Sequence, residues 1–248
     1  MRPTGSVVHE EQRPEEALPG SNAWVRVMID SSIGARHFVQ RVFRFEQGRT
    51  PDLSNEISED VMYVVSGLGS AEIGSGSIEL APGTAFYVPA EVDYAIENDG
   101  PHDLVMVSVL SPPPGTRPGP DAPPDTTGHR RFWVREEDQE TFEAGPSRTF
   151  RILVDPSIGC RAVTQFVGAI DNVPAPPHRH TYEEAIYILG GEGTVEIDDD
   201  VLPIGRGTSI FLPPGLPHRL ANSGAETLRL LGVFAPAGSP ASKDDLPA

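Results

Sequence analysis

The chain has 248 residues, a formal net charge of −17 and one cysteine, Cys160. This length suffices for one large or two ordinary domains, and the acidic charge argues against nucleic acids and anionic membranes as partners, because phosphate contacts require Lys and Arg. The single cysteine excludes an internal disulfide framework, and neither a signal peptide nor a transmembrane run is recognisable, so we expect a cytoplasmic protein.

The chain contains two copies of one pattern. Residues 27–36 (VMIDSSIGAR) parallel 152–161 (ILVDPSIGCR), and residues 59–64 (EDVMYV) parallel 183–188 (EEAIYI). A Gly-x5-Pro corner recurs at Gly83 and Gly207. Self-similarity at a fixed spacing indicates repeated units. We therefore predict domains at 20–110 and 129–236.

Between the copies, residues 111–128 are rich in proline. Proline favours extended, semi-rigid chain, so this segment is predicted to be a connector. The acidic start, 1–19, and the tail, 236–248, contain few apolar residues and are predicted to be mobile.

In the second copy, short alternating apolar runs predict strands, whereas 131–143 is compatible with a strand or a helical turn. The predicted strands are 162–170, 185–189, 194–197, 208–212 and 228–234. Many short strands with Gly and Pro at their corners favour an all-β jelly-roll barrel in each half.

Two segments of the second copy predict one metal site. His178 and His180 share a strand face about 6.6 Å apart, and Glu184 keeps the same parity, whereas Arg179 has the opposite parity and should lie outside. His218 would join them from a neighbouring strand. Three histidines and a carboxylate can hold a divalent first-row ion with positions left open.

These segments resemble the two signature motifs of the cupin superfamily, G-x5-H-x-H-x3,4-E-x6-G and G-x5-P-x-G-x2-H-x3-N. The second motif matches at every defined position from Gly207 to Asn222, and the first matches from His178 to Gly191 but has Asn172 in place of its leading glycine. The resemblance implies two tandem cupin-type jelly-roll (double-stranded β-helix) barrels. It also implies one divalent transition metal ion, which could be Fe, Mn, Ni, Co, Cu or Zn.

The first copy has lost every ligand histidine. The matching positions hold Ser54, Glu56, Asp60 and Tyr94. Glu56 and Asp60 could hold a hard cation such as Ca²⁺ or Mg²⁺, but we favour a metal-free scaffold. Residues shared by both copies are interpreted as structural: Gly83/Gly207, Pro89/Pro213, Asn98/Asn222, Gln40/Gln165 and Arg36/Arg161.

Strand parity also predicts the lining of the second barrel. Its inward residues would form an apolar interior with no cation that could hold a carboxylate: Tyr182, Ile186, Ile188, Ile210, Leu212 and Leu220. Tyr182 and the ligand Glu184 are the candidate catalytic residues, although the Tyr182 hydroxyl could instead bond a backbone carbonyl. Glu183 is expected to be solvated, and Cys160 is not expected to be a nucleophile.

The resemblance to metal-bearing proteins with two cupin domains implies dioxygenation, oxalate decarboxylation or oxidation, isomerisation or hydrolysis. The apolar interior favours a mononuclear dioxygenase acting on a small, chelating, partly hydrophobic substrate. A non-oxidative lyase, isomerase or hydrolase is one alternative, and a non-catalytic metal- or ligand-binding protein is another. A homodimer is left open.

Overall fold

The computed structural model describes residues 4–115, 132–240 and 244–245, the last two by their backbone alone. These residues form 23 strands and three short 3-10 turns, at Glu10–Gln12, Ser31–Ile33 and Glu136–Asp138. No helix within these ranges is long and apolar enough to cross a membrane.

The strands follow one another along the chain with short connections. They are β1 (Ser6–His9), β2 (Glu16–Ala17), β3 (Ala23–Ile29), β4 (Val39–Phe45), β5 (Gly48–Arg49), β6 (Glu59–Ser66), β7 (Gly69–Ile73), β8 (Gly76–Leu80), β9 (Thr84–Val88), β10 (Tyr94–Asn98), β11 (Leu104–Ser111), β12 (Trp133–Arg135), β13 (Phe142–Gly145), β14 (Arg148–Val154), β15 (Thr164–Ile170), β16 (His178–Arg179), β17 (Glu183–Gly190), β18 (Glu192–Ile197), β19 (Asp200–Gly205), β20 (Thr208–Leu212), β21 (His218–Asn222), β22 (Leu228–Ala235) and β23 (Asp244–Asp245).

Each half forms a barrel of two antiparallel sheets, which confirms the predicted all-β fold. In the first barrel, a seven-stranded sheet (β12-β9-β6-β11-β4-β3-β2) faces a four-stranded sheet (β5-β10-β7-β8). In the second, a seven-stranded sheet (β1-β20-β17-β22-β15-β14-β13) faces a five-stranded one (β19-β18-β21-β16-β23).

Three hydrophobic clusters hold the barrels together. Two fill the barrel interiors, with Met62 in the first and Ile186 in the second. The third cluster contains residues of both halves. Among them are Tyr63 and Tyr187, which follow Met62 and Ile186 along their strands and therefore point to the opposite face of each sheet. Because side chains alternate faces along a strand, each large sheet is buried on both sides, and the two sheets pack against each other.

The two barrels exchange strands. The strand that precedes each barrel in the sequence pairs with a strand of the other barrel. β1 pairs with β20 of the second barrel, and β12 pairs with β9 of the first. The prediction of a mobile start is therefore wrong for β1 and β2. Residues 131–143 combine both interpretations, with two strands around a 3-10 turn, although Arg131 lies outside the described residues. The domain bounds and the linker, of which 116–128 also lies outside, stay predictions.

We call β1 and β12, with the 3-10 turns that follow them, the exchanged arms. In each barrel a tyrosine hydroxyl forms a hydrogen bond to the arm that the barrel receives. The Tyr63 hydroxyl donates to Glu136 at 2.5 Å, and the Tyr187 hydroxyl donates to Glu10. The two glutamates begin equivalent 3-10 turns after β12 and β1. The sequence signal for this arrangement is the Glu-Glu pair at 10–11 that recurs at 136–137.

A glutamate from each barrel binds backbone of the other. The Glu183 carboxylate accepts hydrogen bonds from the N–H groups of Arg36 and His37 at 3.0–3.1 Å. Glu59 likewise accepts the N–H of Arg161 at 2.9 Å. Glu183 is only 2% exposed, so the expectation that it is solvated is wrong. The packing of two barrels buries a face that a single barrel would leave in water.

Several shared residues have matching structural roles, as predicted. The side-chain amide of Asn98 donates to two backbone carbonyls, and so does that of Asn222. Gly83 and Gly207 both have positive φ values, near 86° and 82°, which favour glycine. These positions maintain the barrel rather than the chemistry.

Removing residues 1–12 is expected to loosen the second barrel, because this deletes β1 and the Glu10 carboxylate that Tyr187 binds. Hydrogen exchange should show loss of protection in β20, with less change in β9, whose partner β12 remains. Deleting residues 1–5 alone serves as the control. Unchanged protection of β20 in the longer deletion would contradict the exchanged-arm arrangement.

Candidate metal centre

Three neighbouring elements of the second barrel bring the predicted ligands together. His178 of β16 pairs directly with His218 of β21, and the N–H of Gly215 donates to the carbonyl of His180 at 2.8 Å. The ligand atoms of the three histidines all lie within 4.8 Å of one another. The predicted convergence of the imidazoles is therefore present in the fold.

Backbone carbonyls orient two of these rings. His178 Nδ1 lies 2.9 Å from the oxygen of Pro176, and His218 Nδ1 lies 3.0 Å from that of Leu216. Because a carbonyl only accepts hydrogen bonds, each Nδ1 is assigned the proton, which leaves Nε2 as the lone-pair donor. Both rings therefore have Nε2 available to a cation at this site.

Glu184 supplies the fourth group. Its Oε2 lies 3.5 Å from His180 Nε2 and 3.6 Å from His218 Nε2. Two ligands at about 2.1 Å from a tetrahedral ion lie about 3.4 Å apart, so these spacings suit a single cation. Oε2 is buried and receives no hydrogen bond from the described residues, which is costly unless an ion binds there.

Burial shifts the titration of both kinds of ligand. It raises the pKa of Glu184 to about 8. Burial, followed by the neighbouring His178 and His180, lowers the pKa of His218 to about 3. Without a cation, the site therefore favours a neutral His218 and a protonated Glu184 carboxyl group at pH 7.

Metal binding near pH 7 is expected to release about one proton, because a coordinating Glu184 must lose the proton that its raised pKa retains. His218 is already neutral and releases none. The apparent affinity should rise about tenfold per pH unit up to about pH 8 and then level off. Calorimetry in two buffers with different ionisation enthalpies measures the protons released. A Glu184→Gln variant is the control, and zero release by the unmodified protein would contradict the assignment.

The ligands form part of the wall of a cavity of about 100 Å³ inside the barrel. The rest of the wall is mostly apolar and includes Phe150, Phe166, Ile186, Leu220, Leu230 and Phe234. All six residues predicted to face inward belong to the core of this barrel, which confirms the parity argument. Arg179 is exposed, as predicted.

Tyr182 lies next to the ligands. Its ring stacks on His180 with centroids 5.1 Å apart, and its hydroxyl donates to the backbone carbonyl of Ser239 at 2.9 Å. This is the carbonyl contact that the sequence left as the alternative. A catalytic role for Tyr182 or Glu184 stays a prediction.

The C-terminal segment covers this end of the barrel. Besides the Ser239 contact, the N–H of Gly238 donates to Thr164 Oγ1 at 3.2 Å, and Pro240 lines the cavity. β23 pairs with β16, next to His178. The prediction of a mobile tail is therefore wrong for residues 238–240.

One cation that the sequence analysis missed lines the same cavity. Arg148, the first residue of β14, is 9% exposed. The expectation of an interior without a cation is wrong, because the start of β14 was not predicted and its parity could not be assigned. The matching position in the first barrel is the apolar Ala23. This difference between the copies was the sequence signal that could have identified Arg148 as a functional candidate.

The first barrel has an internal ion pair where the second has its metal site. Asp60, the counterpart of Glu184, binds Arg41 at 2.5 Å and Ser108 at 2.6 Å. Glu56 is exposed, so the two carboxylates predicted as hard-cation ligands are not brought together. Among the described residues, the histidine cluster of the second barrel is the one group that could hold a metal.

The counterparts of Arg41 and Ser108 explain why the second barrel has a cavity. They are Phe166 and Gly232, and a Cβ on Gly232 would overlap with the Phe166 ring. The aromatic side chain therefore lies flat on the strand and lines the cavity, whereas Arg41 enters the first barrel as its cation. This comparison favours the scaffold interpretation of the first barrel.

Burial and the adjacent Glu59 raise the pKa of the Cys160 thiol well above its ordinary value. The thiolate is the reactive form, so this environment agrees with the expectation that Cys160 is not a nucleophile.

Comparisons with known proteins agree with this architecture. Residues 172–234 match the family model of the cupin domain. Over 55 residues, the chain is 38% identical to an uncharacterized protein of Methanocaldococcus jannaschii, an alignment that covers 22% of this chain and 44% of that protein. The chain therefore covers less than half the length of this relative.

Two solved structures resemble the whole chain. Protein Ylba from E. coli superposes with a TM-score of 0.75 at 16% identity, over 94% of this chain and 91% of that one. Oxalate decarboxylase from Bacillus subtilis, which has Mn(II) centres, superposes with a TM-score of 0.75 at 14% identity, over 97% and 79% of the two chains. At such identities the likeness shows the fold alone.

Proposed function

We propose that this protein, whose two barrels have the cupin-superfamily fold, is a metal-dependent enzyme that acts on a small organic molecule in its second barrel. The observation that carries the proposal is a cluster of three histidines in a cavity wall, His178, His180 and His218, whose ligand atoms lie within 4.8 Å of one another. Glu184 Oε2 lies 3.5–3.6 Å from two of them. A divalent ion bound there would supply open coordination positions that polarise a carbonyl or enolate, or bind dioxygen.

The residues of the chain define what such a substrate must be. Three neutral imidazoles and one carboxylate leave one positive charge on a bound divalent ion, which favours oxygen ligands that carry negative charge. The cavity is small, and Phe166, Phe234 and Ile186 give it apolar walls. A compact, partly hydrophobic molecule that chelates through neighbouring oxygens fits these conditions.

Within this class, the reaction we favour is dioxygenation by a mononuclear centre, because the described residues of the cavity wall include no carboxylate or histidine besides the ligands that could activate water. The test is oxygen uptake with enediol, catechol and flavonol-like compounds, after the metal of the native protein has been identified. Uptake should scale with metal content. Turnover at full rate without oxygen would exclude a dioxygenase.

A non-oxidative reaction of a carboxylic acid, such as decarboxylation, is the second candidate. The buried Arg148 in the cavity favours it, because a guanidinium can hold a carboxylate there. The fold likeness to oxalate decarboxylase is compatible with this chemistry but does not carry it. Anaerobic product analysis separates the two candidates, since only this one predicts turnover without oxygen.

A further inference from the structure

We propose that Arg148 binds a carboxylate of the substrate, so that the substrate is a small organic acid with a chelating group at its other end. The chelating end rests on the proposed metal function, whereas the acid end rests on Arg148 alone. Three features of the second barrel support the assignment.

The first feature is the direction of the side chain. Arg148 begins β14, and Phe150 and Ile152, two and four residues further on, belong to the interior of the barrel. Because alternate residues of a strand share a face, Arg148 also points inward. It lines the cavity together with His178 and Glu184, and only 9% of it is exposed.

The second feature is a turn that fits the guanidinium. Gly145, which ends β13 with φ near 126°, lies beside the end of the Arg148 side chain, and a Cβ at this position would overlap with Nη2. A residue with a side chain would strain the backbone at this φ, and the flexible end of Arg148 would have to shift. The Arg148 guanidinium therefore lies against the turn that joins β13 and β14.

The third feature is the separation of the two charged groups along the wall. Arg148 pairs with Ile170, which pairs with Leu228 at the start of β22, whereas Glu184 pairs with Phe234 near the end of that strand. The register therefore places Arg148 and Glu184 at different ends of the interior, with apolar residues such as Leu230 between them.

Charge and burial make this arrangement selective. A guanidinium is always protonated and binds a carboxylate through two parallel hydrogen bonds, which are stronger out of water. Among the described residues that line the cavity, Arg148 has the one permanent positive charge. The first barrel, which lacks the ligands, has Ala23 at the matching position, so the cation occurs in the barrel with the metal site.

The test uses two probes that differ only at the proposed acid end: 3,4-dihydroxybenzoate and its neutral amide, 3,4-dihydroxybenzamide. Binding to the full-length protein loaded with Zn²⁺ is measured by calorimetry without oxygen. The unmodified protein should bind the acid at least about tenfold more tightly than the amide, because a charge-assisted hydrogen bond contributes that much. Arg148→Gln should abolish this preference, and Arg148→Lys should keep part of it.

Arg219→Gln is the matched control. Arg219 lies next to His218 but pairs with Glu196 and is partly exposed, so this variant removes a nearby charge without changing the cavity wall. It should keep the preference for the acid. Zinc content and the melting temperature show whether each variant is folded, and the Lys variant keeps the test decisive if Arg148→Gln is unstable.

The outcomes separate the two proposals. If the unmodified protein does not bind Zn²⁺ stoichiometrically, the metal function itself fails. If it binds Zn²⁺ but binds acid and amide equally, or binds neither, the assignment of Arg148 is overturned and the metal function stands. A preference that persists in Arg148→Gln also overturns it.

Discussion

Replacing both His178 and His218 with alanine is expected to abolish stoichiometric metal binding. The two imidazoles face each other across the β16–β21 pair and are oriented by backbone carbonyls, so each loss removes a preset ligand. Changes to groups that only support a ligand lower metal affinity about 10–100-fold, and loss of two ligands should exceed that. Elemental analysis of purified protein, compared with the unmodified chain, measures the effect.

A variant of an exposed histidine provides the control for this experiment. His102 lies in the first barrel outside the metal site, and its imidazole is exposed, so His102→Ala should retain full metal content. Circular dichroism confirms that the double variant keeps its β structure. Equal metal in the double variant and the unmodified protein would refute the ligand assignment, and the enzymatic proposal with it.

The ligands could be predicted because they depend on local rules. His178 and His180 need only strand parity, and the corner before His218 needs only its prolines and glycine. The inward set from Tyr182 to Leu220 followed from the same rule and is confirmed. These inferences hold although His180 lies just beyond β16 and a bend separates it from β17, where the pairing of Glu184 is regular.

The residues that the sequence did not reveal depend on how distant segments pack. Glu183 is buried because Arg36 and His37 of the other barrel reach it, and no local pattern encodes that contact. Arg148 begins β14 directly after the turn at 146–147, so the face on which it lies depends on where that strand starts. Parity can be assigned only where the start of a strand is known, so this cation was missed.

The differences between the two copies were the most informative feature of the sequence, and they extend to residues beyond the metal motif. Comparison of the copies correctly separated Asn98 and Asn222, which serve the barrel, from the ligands that occur once. Applied to Arg41 and its counterpart Phe166, it would have indicated that the interior of one barrel is ionic and that of the other apolar. Long-range contacts were needed to show which carboxylate balances Arg41.

The hydrogen bonds that Glu183 forms between the barrels are expected to contribute strongly to the free energy of unfolding. Glu183→Ala is expected to destabilise the protein by about 3 kcal/mol, because the buried carboxylate accepts part-buried hydrogen bonds from the N–H groups of Arg36 and His37, and hydrogen bonds to charged groups contribute about 1.5–3 kcal/mol each. For a chain of this length, that corresponds to a melting temperature about 6–12 °C lower. Thermal unfolding of metal-free protein measures it without a contribution from the adjacent ligand Glu184.

Two further variants decide whether this loss comes from the interface. Glu226→Ala removes an exposed carboxylate from the same barrel and should change the melting temperature by less than about 2 °C. Glu59→Ala removes the equivalent acceptor from the other barrel, where Arg161 donates, and should be destabilising in the same way. Because the two glutamates join the same pair of barrels from opposite sides, the double variant should separate the barrels' transitions. A single transition at the unmodified temperature would mean that the apolar cluster alone holds the barrels together.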